Sequence, residues 1–183
     1  GGIWVRGRGA GVEDMAGIND GRNLWARKAG VRVTDGADRV GLRGLTLKGP
    51  GFGIRGDGLE ELVVEDCRSE GVRSMHVLDR GDGVFLNYVK RPKLTGNAAR
   101  NVRDGFYFEN VDESVSRNNF FTGAQYGIHW MYTRGDSAYD NVSAGVIGGF
   151  ALMSSKRIHF ENNTARRCVE FGVLLNVCAG CTV

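Results

Sequence analysis

A glycine followed by an apolar, any and an apolar residue returns along the chain at a nearly constant interval. It occurs as "GVFL" at Gly83, "GFYF" at Gly105, "GIHW" at Gly127, "GFAL" at Gly149 and "GVLL" at Gly172, with spacings of 22, 22, 22 and 23 residues. A fixed period of this size marks stacked repeats, each burying its apolar face on the next. Weaker copies, "GIRG" at Gly53 and "GVRV" at Gly30, extend the series toward the N terminus. The interval of 30 between Gly53 and Gly83 predicts an insertion of about eight residues within "SEGVRSMHVLDRGD", Ser69 to Asp82.

Residues one and three after each glycine are Val84 and Leu86, Phe106 and Phe108, Ile128 and Trp130, Phe150 and Leu152, Val173 and Leu175. All are apolar, the period-two signature of a strand with one buried face. Fourteen residues after the glycines stand Asn97, Asn119, Asn141 and Asn163, with Cys67 in the same slot one coil earlier. Asparagine tolerates left-handed backbone and can hydrogen-bond its own neighbours, so this column is expected to mark a repeated tight turn. Short strands with no helical periodicity predict an all-β parallel β-helix with coils of about 22 residues. A leucine-rich repeat of similar period would need its own consensus, which is absent. The whole chain, 1–183, is expected to form a single β-helix domain and to be a segment of a longer solenoid. Residues 1–29 follow the period less closely: "GIWV" at Gly2 opens another coil, with "EDMAGINDGRNLWARKAG" as its loop-containing return.

Composition agrees with this picture. The chain carries 29 glycines against 2 prolines, suited to many short strands and tight turns, and its 42% hydrophobic content is that of a folded domain. A formal charge of +3 from scattered lysines and arginines argues neither for a dedicated nucleic-acid binder nor for a polybasic membrane anchor, and no nucleic-acid partner is expected. No run approaches the length of a transmembrane helix. The chain starts at Gly1 rather than Met, as expected of a mature or truncated segment in which a secretion signal would not be seen. Four cysteines, Cys67, Cys168, Cys178 and Cys181, are too few for a disulfide scaffold.

The residues two and four after each glycine point out of the solenoid. They are Phe85 and Asn87, Tyr107 and Glu109, His129 and Met131, Ala151 and Met153, Leu174 and Asn176. Stacking sets Met131 between Glu109 and Met153 at about one strand spacing, ~4.8 Å, with His129 on the same face. Imidazole and thioether together suit Cu(I), so His129, Met131 and Met153 form a candidate metal site. The row Phe85, Tyr107, His129, Ala151 and Leu174 is apolar for an outer face, which marks either a contact surface or a strip covered by the chain itself. Asp82 and Asp104 each precede a coil glycine, and stacking brings them near the ~5 Å separation of a retaining glycosidase pair, with Glu109 on the same strand. Aspartate before glycine is also turn chemistry, and no lysine or arginine base stands beside the pair in the repeat columns. "CAGC", Cys178 to Cys181, has the spacing of half a zinc site or a redox pair, or of an incidental turn.

"RDGFYFENV", "YGIHWMYTRGDSAYDNVSAG", "GGFALMSSKRIHFENNTARR" and "FGVLLN", together with the earlier "DRGDGVFL", resemble in order and spacing the coils of the NosD family over roughly residues 80–183. The resemblance implies a right-handed parallel β-helix in the periplasm. It also implies a non-enzymatic role with an ABC-type transporter permease and a copper-delivery lipoprotein in maturing the copper sites of nitrous oxide reductase. It places His129, Met131 and Tyr132 on the family's "HYMY" and Met153 on its "ALMYS". Trp130 and Ser154 stand where the family often has tyrosine. Phe85, Tyr107, Glu109, Tyr132 and Leu174 are the expected partner surface. The alternative is a carbohydrate-active β-helix, a polysaccharide lyase, hydrolase or epimerase, using Asp82, Asp104 and Glu109, with Phe85 and Tyr107 stacking on sugar rings.

Overall fold

A computed structural model describes residues 3–13, 15–18, 28–34 and 36–183. Among these residues the chain winds through three parallel sheets, one of eight strands and two of seven. The first sheet stacks, in chain order, Ile3–Val5, Ala29–Val33, Phe52–Glu60, Val84–Lys90, Asp104–Glu109, Tyr126–Met131, Gly148–Met153 and Phe171–Asn176. Every third strand in sequence is a neighbour in space, the topology of a parallel β-solenoid. Register follows the repeat: Val84 pairs Phe106, Phe106 pairs Ile128, Ile128 pairs Phe150 and Phe150 pairs Val173.

The interior consists of the columns the period singles out. Ile54, Leu86, Phe108, Ile128, Trp130, Phe150 and Leu152 are wholly buried. Leu175 is half exposed because its strand is the last of the sheet. The repeat glycines serve this stacking by being small, not by adopting left-handed backbone. A Cβ on Gly83 would lie 2.5 Å from the carbonyl oxygen of Gly105 and 2.8 Å from the Ala99 Cβ, closer than side chains tolerate.

The asparagine column corrects an expectation. Left-handed backbone falls one residue earlier, at Gly96, Asn118, Asp140 and Asn162. Asn97, Asn119 and Asn141 instead point inward and are buried. Each Nδ2 donates to the Oδ1 of the next, Asn97 to Asn119 at 3.0 Å, Asn119 to Asn141 at 2.9 Å and Asn141 to Asn163 at 2.8 Å. Each Oδ1 also accepts the backbone N–H of the asparagine before it. Amide side chains therefore carry donors and acceptors through the core from coil to coil, satisfying backbone groups that the corner leaves unpaired. Cys67 begins the column, its N–H donating to Asn97 Oδ1 at 2.9 Å.

The insertion lies where the spacing places it, between the strands Arg68–Glu70 and Val84–Lys90, and contains a short 3-10 turn, Val77–Asp79. Arg80 fixes it. The buried guanidinium donates to the carbonyls of Arg73 and Met75 within the excursion and of Gly123 two coils on. Of the loop-containing return near the N terminus, Ala16–Ile18 forms a strand, and residues 14 and 19–27 lie outside the described residues.

Candidate metal and partner site on the first sheet

Outside the solenoid the first sheet presents three rows of side chains. One row precedes each coil glycine: Phe52, Asp82, Asp104, Tyr126, Gly148 and Phe171. The second runs Arg55, Phe85, Tyr107, His129, Ala151 and Leu174, and the third Asp57, Asn87, Glu109, Met131, Met153 and Asn176. A groove of about 400 Å³ opens across these rows, lined by Leu78, Arg103, Asp104, Tyr107, Gln125, Tyr126, His129 and Met153. Leu78 comes from the insertion, which thus supplies one wall.

Asp82 and Asp104 are both buried. Arg103 forks onto Asp82, Nε donating to Oδ1 at 2.9 Å and a terminal nitrogen to Oδ2 at 2.7 Å, a bidentate pair of the strong kind. The repeat columns gave no hint of a base beside the carboxylates, and the structure supplies one. Asp82 Oδ1 also accepts the Asp104 N–H at 3.1 Å. Burial pushes the Asp82 carboxyl up to about 7 despite Arg103, with Asp104 adding to the rise. Burial opposes the Arg103 charge, but the two carboxylates hold its pKa above the usual arginine value.

Asp104 uses both oxygens. Oδ1 accepts the Tyr126 N–H at 3.2 Å, and Oδ2 faces His129 Nδ1 at 3.3 Å. The other imidazole nitrogen, Nε2, is buried and has no hydrogen-bond partner among the described residues. The Tyr107 and Tyr126 rings flank the imidazole with centroids 4.8 and 5.0 Å away. Burial pushes the Tyr107 hydroxyl up to about 12, helped by Glu109.

The expected residues distribute unevenly over this site. His129 and Met153 line the groove; Met131 pairs in register with both Glu109 and Met153 but lies outside the lining. Phe85 is buried against Phe52 and Tyr107, with the Arg55 guanidinium 4.3 Å over its ring. Tyr107 and Glu109 are half-buried, Leu174 is half-buried and Tyr132 is 59% exposed in left-handed backbone. Arg103, Gln125, Tyr126 and Leu78 were not singled out by the repeat. Arg103, Gln125 and Tyr126 occupy the two positions before a coil glycine, and the two aspartates of that column were the only signal there.

Among the described residues no group of three or more His, Cys, Asp or Glu side chains could hold a metal ion. Asp104 is the one carboxylate among the described residues lining the groove, and its two oxygens face the Tyr126 N–H and His129. The imidazole nitrogen of His129, without a partner among the described residues, and the Met153 thioether also line it, a pair of donors that suits a soft monovalent ion. Cys178 and Cys181 are free thiols packed against the edge of the core, and burial raises the Cys178 thiol. Cys67 is buried with a raised thiol, as fits a structural residue.

The sequence profile of the family described as "Periplasmic copper-binding protein (NosD)" matches residues 60–183, which include every residue of the groove. The chain belongs to the NosD family. Two curated NosD relatives carry the name "Probable ABC transporter binding protein NosD". The one from Pseudomonas aeruginosa is 38% identical over 94 residues, 51% of this chain and 22% of the relative. The one from Stutzerimonas stutzeri is 29% identical over 156 residues, 85% of this chain and 36% of the relative. The chain thus spans about a fifth to a third of the NosD relatives it matches. Among solved structures, PfbA, a surface adhesin of Streptococcus pneumoniae, matches with 9% identity and a TM-score of 0.33, covering 97% of this chain and 72% of that one. Among the described residues no helix is long and apolar enough to cross a membrane.

Proposed function

We propose that the chain is a non-enzymatic periplasmic component that associates with an ABC-type transporter and takes part in supplying copper to nitrous oxide reductase. In this reading it handles Cu(I) as cargo at His129 and Met153, with Met131 beside them. The names of the relatives support the transporter association, and the family description supports copper and the periplasm. The observation that carries the metal reading is His129 Nε2, buried without a partner among the described residues in the groove that Met153 also lines. A buried nitrogen lone pair left unsatisfied is costly, and a bound soft cation relieves it. The geometry around the site supports the same cargo: the Arg103 guanidinium is turned onto Asp82, and the Asp104 carboxyl stands directly beside His129. Tyr132, exposed on the ridge beside Met131, together with Tyr107, Glu109 and Leu174, is the surface assigned to the protein partner, the transporter permease, the copper-delivery protein or the reductase.

A carbohydrate-active reading gains less. Asp82 is fully buried and held by Arg103, and Glu109 lies outside the groove lining, so the carboxylates do not face one another across an open cleft.

Cu(I) titration under reducing conditions tests the metal reading. The unaltered chain is expected to bind one equivalent, and Met131→Ala combined with Met153→Ala, or His129→Ala alone, is expected to weaken it. Equal binding in all three, or none in the unaltered chain, removes copper from this groove.

A further inference from the structure

The geometry assigns to Asp104 the role of a positioning residue: it fixes the His129 tautomer, placing the proton on Nδ1 and leaving Nε2 as the donor atom of the groove. A neutral imidazole has one N–H and one lone pair, and the partner of one nitrogen decides which is which. Asp104 Oδ2, 3.3 Å from Nδ1, is a carboxylate oxygen and can only accept. The proton therefore resides on Nδ1. Carboxylates behind ligating histidines act in this way in metal sites generally.

Asp104 is itself held. Its N–H donates to Asp82 Oδ1 at 3.1 Å, its Oδ1 accepts the Tyr126 N–H at 3.2 Å, and Arg103 Nε stands 3.9 Å from Oδ2. The Tyr126 contact makes the arrangement directional. An asparagine at this position must keep its Oδ1 toward the Tyr126 N–H to avoid stranding a buried donor. Its Nδ2 then faces His129 Nδ1 and donates to it. The tautomer inverts, Nε2 acquires the proton, and the groove loses its lone pair without loss of a side chain or of volume. The same substitution behind the histidine of a serine-protease triad selects the wrong tautomer.

The role of Asp104 rests on the copper reading above only for its effect on affinity; the tautomer itself is read without metal. Nitrogen-15 NMR of the metal-free chain at mildly alkaline pH is expected to show Nδ1–H for His129 in the unaltered protein and Nε2–H in Asp104→Asn. Cu(I) affinity of Asp104→Asn is expected to fall about 10–100-fold, the usual consequence of losing such a partner. An Nε2–H or averaged signal in the unaltered chain, or a signal unchanged in Asp104→Asn, overturns the assignment. If the tautomer inverts as stated but the unaltered chain binds no Cu(I), the positioning role stands and the copper reading fails. Asp104→Ala, which removes both acceptors, serves as the control: it is expected to average the two tautomers rather than invert them.

Discussion

Replacing Asn119 with alanine isolates what the buried amide column contributes. The Asn119 side chain makes four hydrogen bonds: Nδ2 donates to Leu94 O at 3.0 Å and Asn141 Oδ1 at 2.9 Å, while Oδ1 accepts Asn97 N at 2.9 Å and Asn97 Nδ2 at 3.0 Å. It is 1% exposed, so water cannot replace them. At roughly 1 kcal/mol net for each bond, with the Asn97 N–H left buried and unpaired, the loss should be about 3–5 kcal/mol. Asn163 is the internal control. It also makes four bonds, accepting from Asn141 N and Nδ2 and donating to Ala138 O and Glu161 O, but it is only half-buried. Asn163→Ala should cost less, about 1–2 kcal/mol, because the Asn163 side chain is not sealed from solvent and water can enter the space it vacates. Urea unfolding at equal slope measures the difference, and hydrogen exchange at the Asn97 amide locates it. Equal losses in the two variants would refute the claim that burial, rather than bond count, sets the value of the column.

Further substitutions test other parts of the fold. Cys67→Asn extends the column by one coil, since the Cys67 Sγ already lies 3.6 Å from Leu42 O and the Leu45 N–H faces the thiol; unfolding free energy should rise by about 0.5–1.5 kcal/mol. Gly127→Ala puts a methyl group into Ser143 Oγ and within 2.7 Å of the Gly149 carbonyl, and should lower stability by about 1–3 kcal/mol in thermal unfolding. Burial pushes the Asp136 carboxyl up to about 7. A carboxyl that stays protonated in the folded chain while it ionises in the unfolded one takes up protons on folding. Stability should therefore fall as pH rises from about 4 toward 7, by roughly 1.4 kcal/mol per unit of difference, and level off above. Asp136→Asn should remove its share of that fall in denaturation series across the range, with Asp82 retaining its own share of the same sign.

Inward columns were legible in the sequence because each is held to one chemistry over many coils. Ile128 and Trp130 need only be apolar and opposite a neighbour 22 residues away, so periodicity alone places them. The asparagine column does mark a repeated turn, but a left-handed corner and a buried amide ladder produce the same spacing, and they differ by one residue, Asn118 against Asn119. Arg103 escaped because the residue two before the glycine is Gly81, Arg103, Gln125 and Ile147 in successive coils, a column with no common chemistry to betray it.

That contrast bears on where such a solenoid can place a site. Stacking demands uniformity inside, so the inward columns cannot vary without loss of register. The outward rows carry no such demand and change from coil to coil, Phe52, Asp82, Asp104, Tyr126 in one and Phe85, Tyr107, His129, Ala151 in the next. One way for a histidine on such a row to acquire an oriented nitrogen is a carboxylate that the coil below offers in the neighbouring row, as Asp104 does for His129. The pairing runs diagonally, one coil down and one row across, and no single column of the repeat records it. A search for sites in other solenoids of this period should therefore compare each outward histidine with the residue 25 positions earlier, the separation of Asp104 and His129.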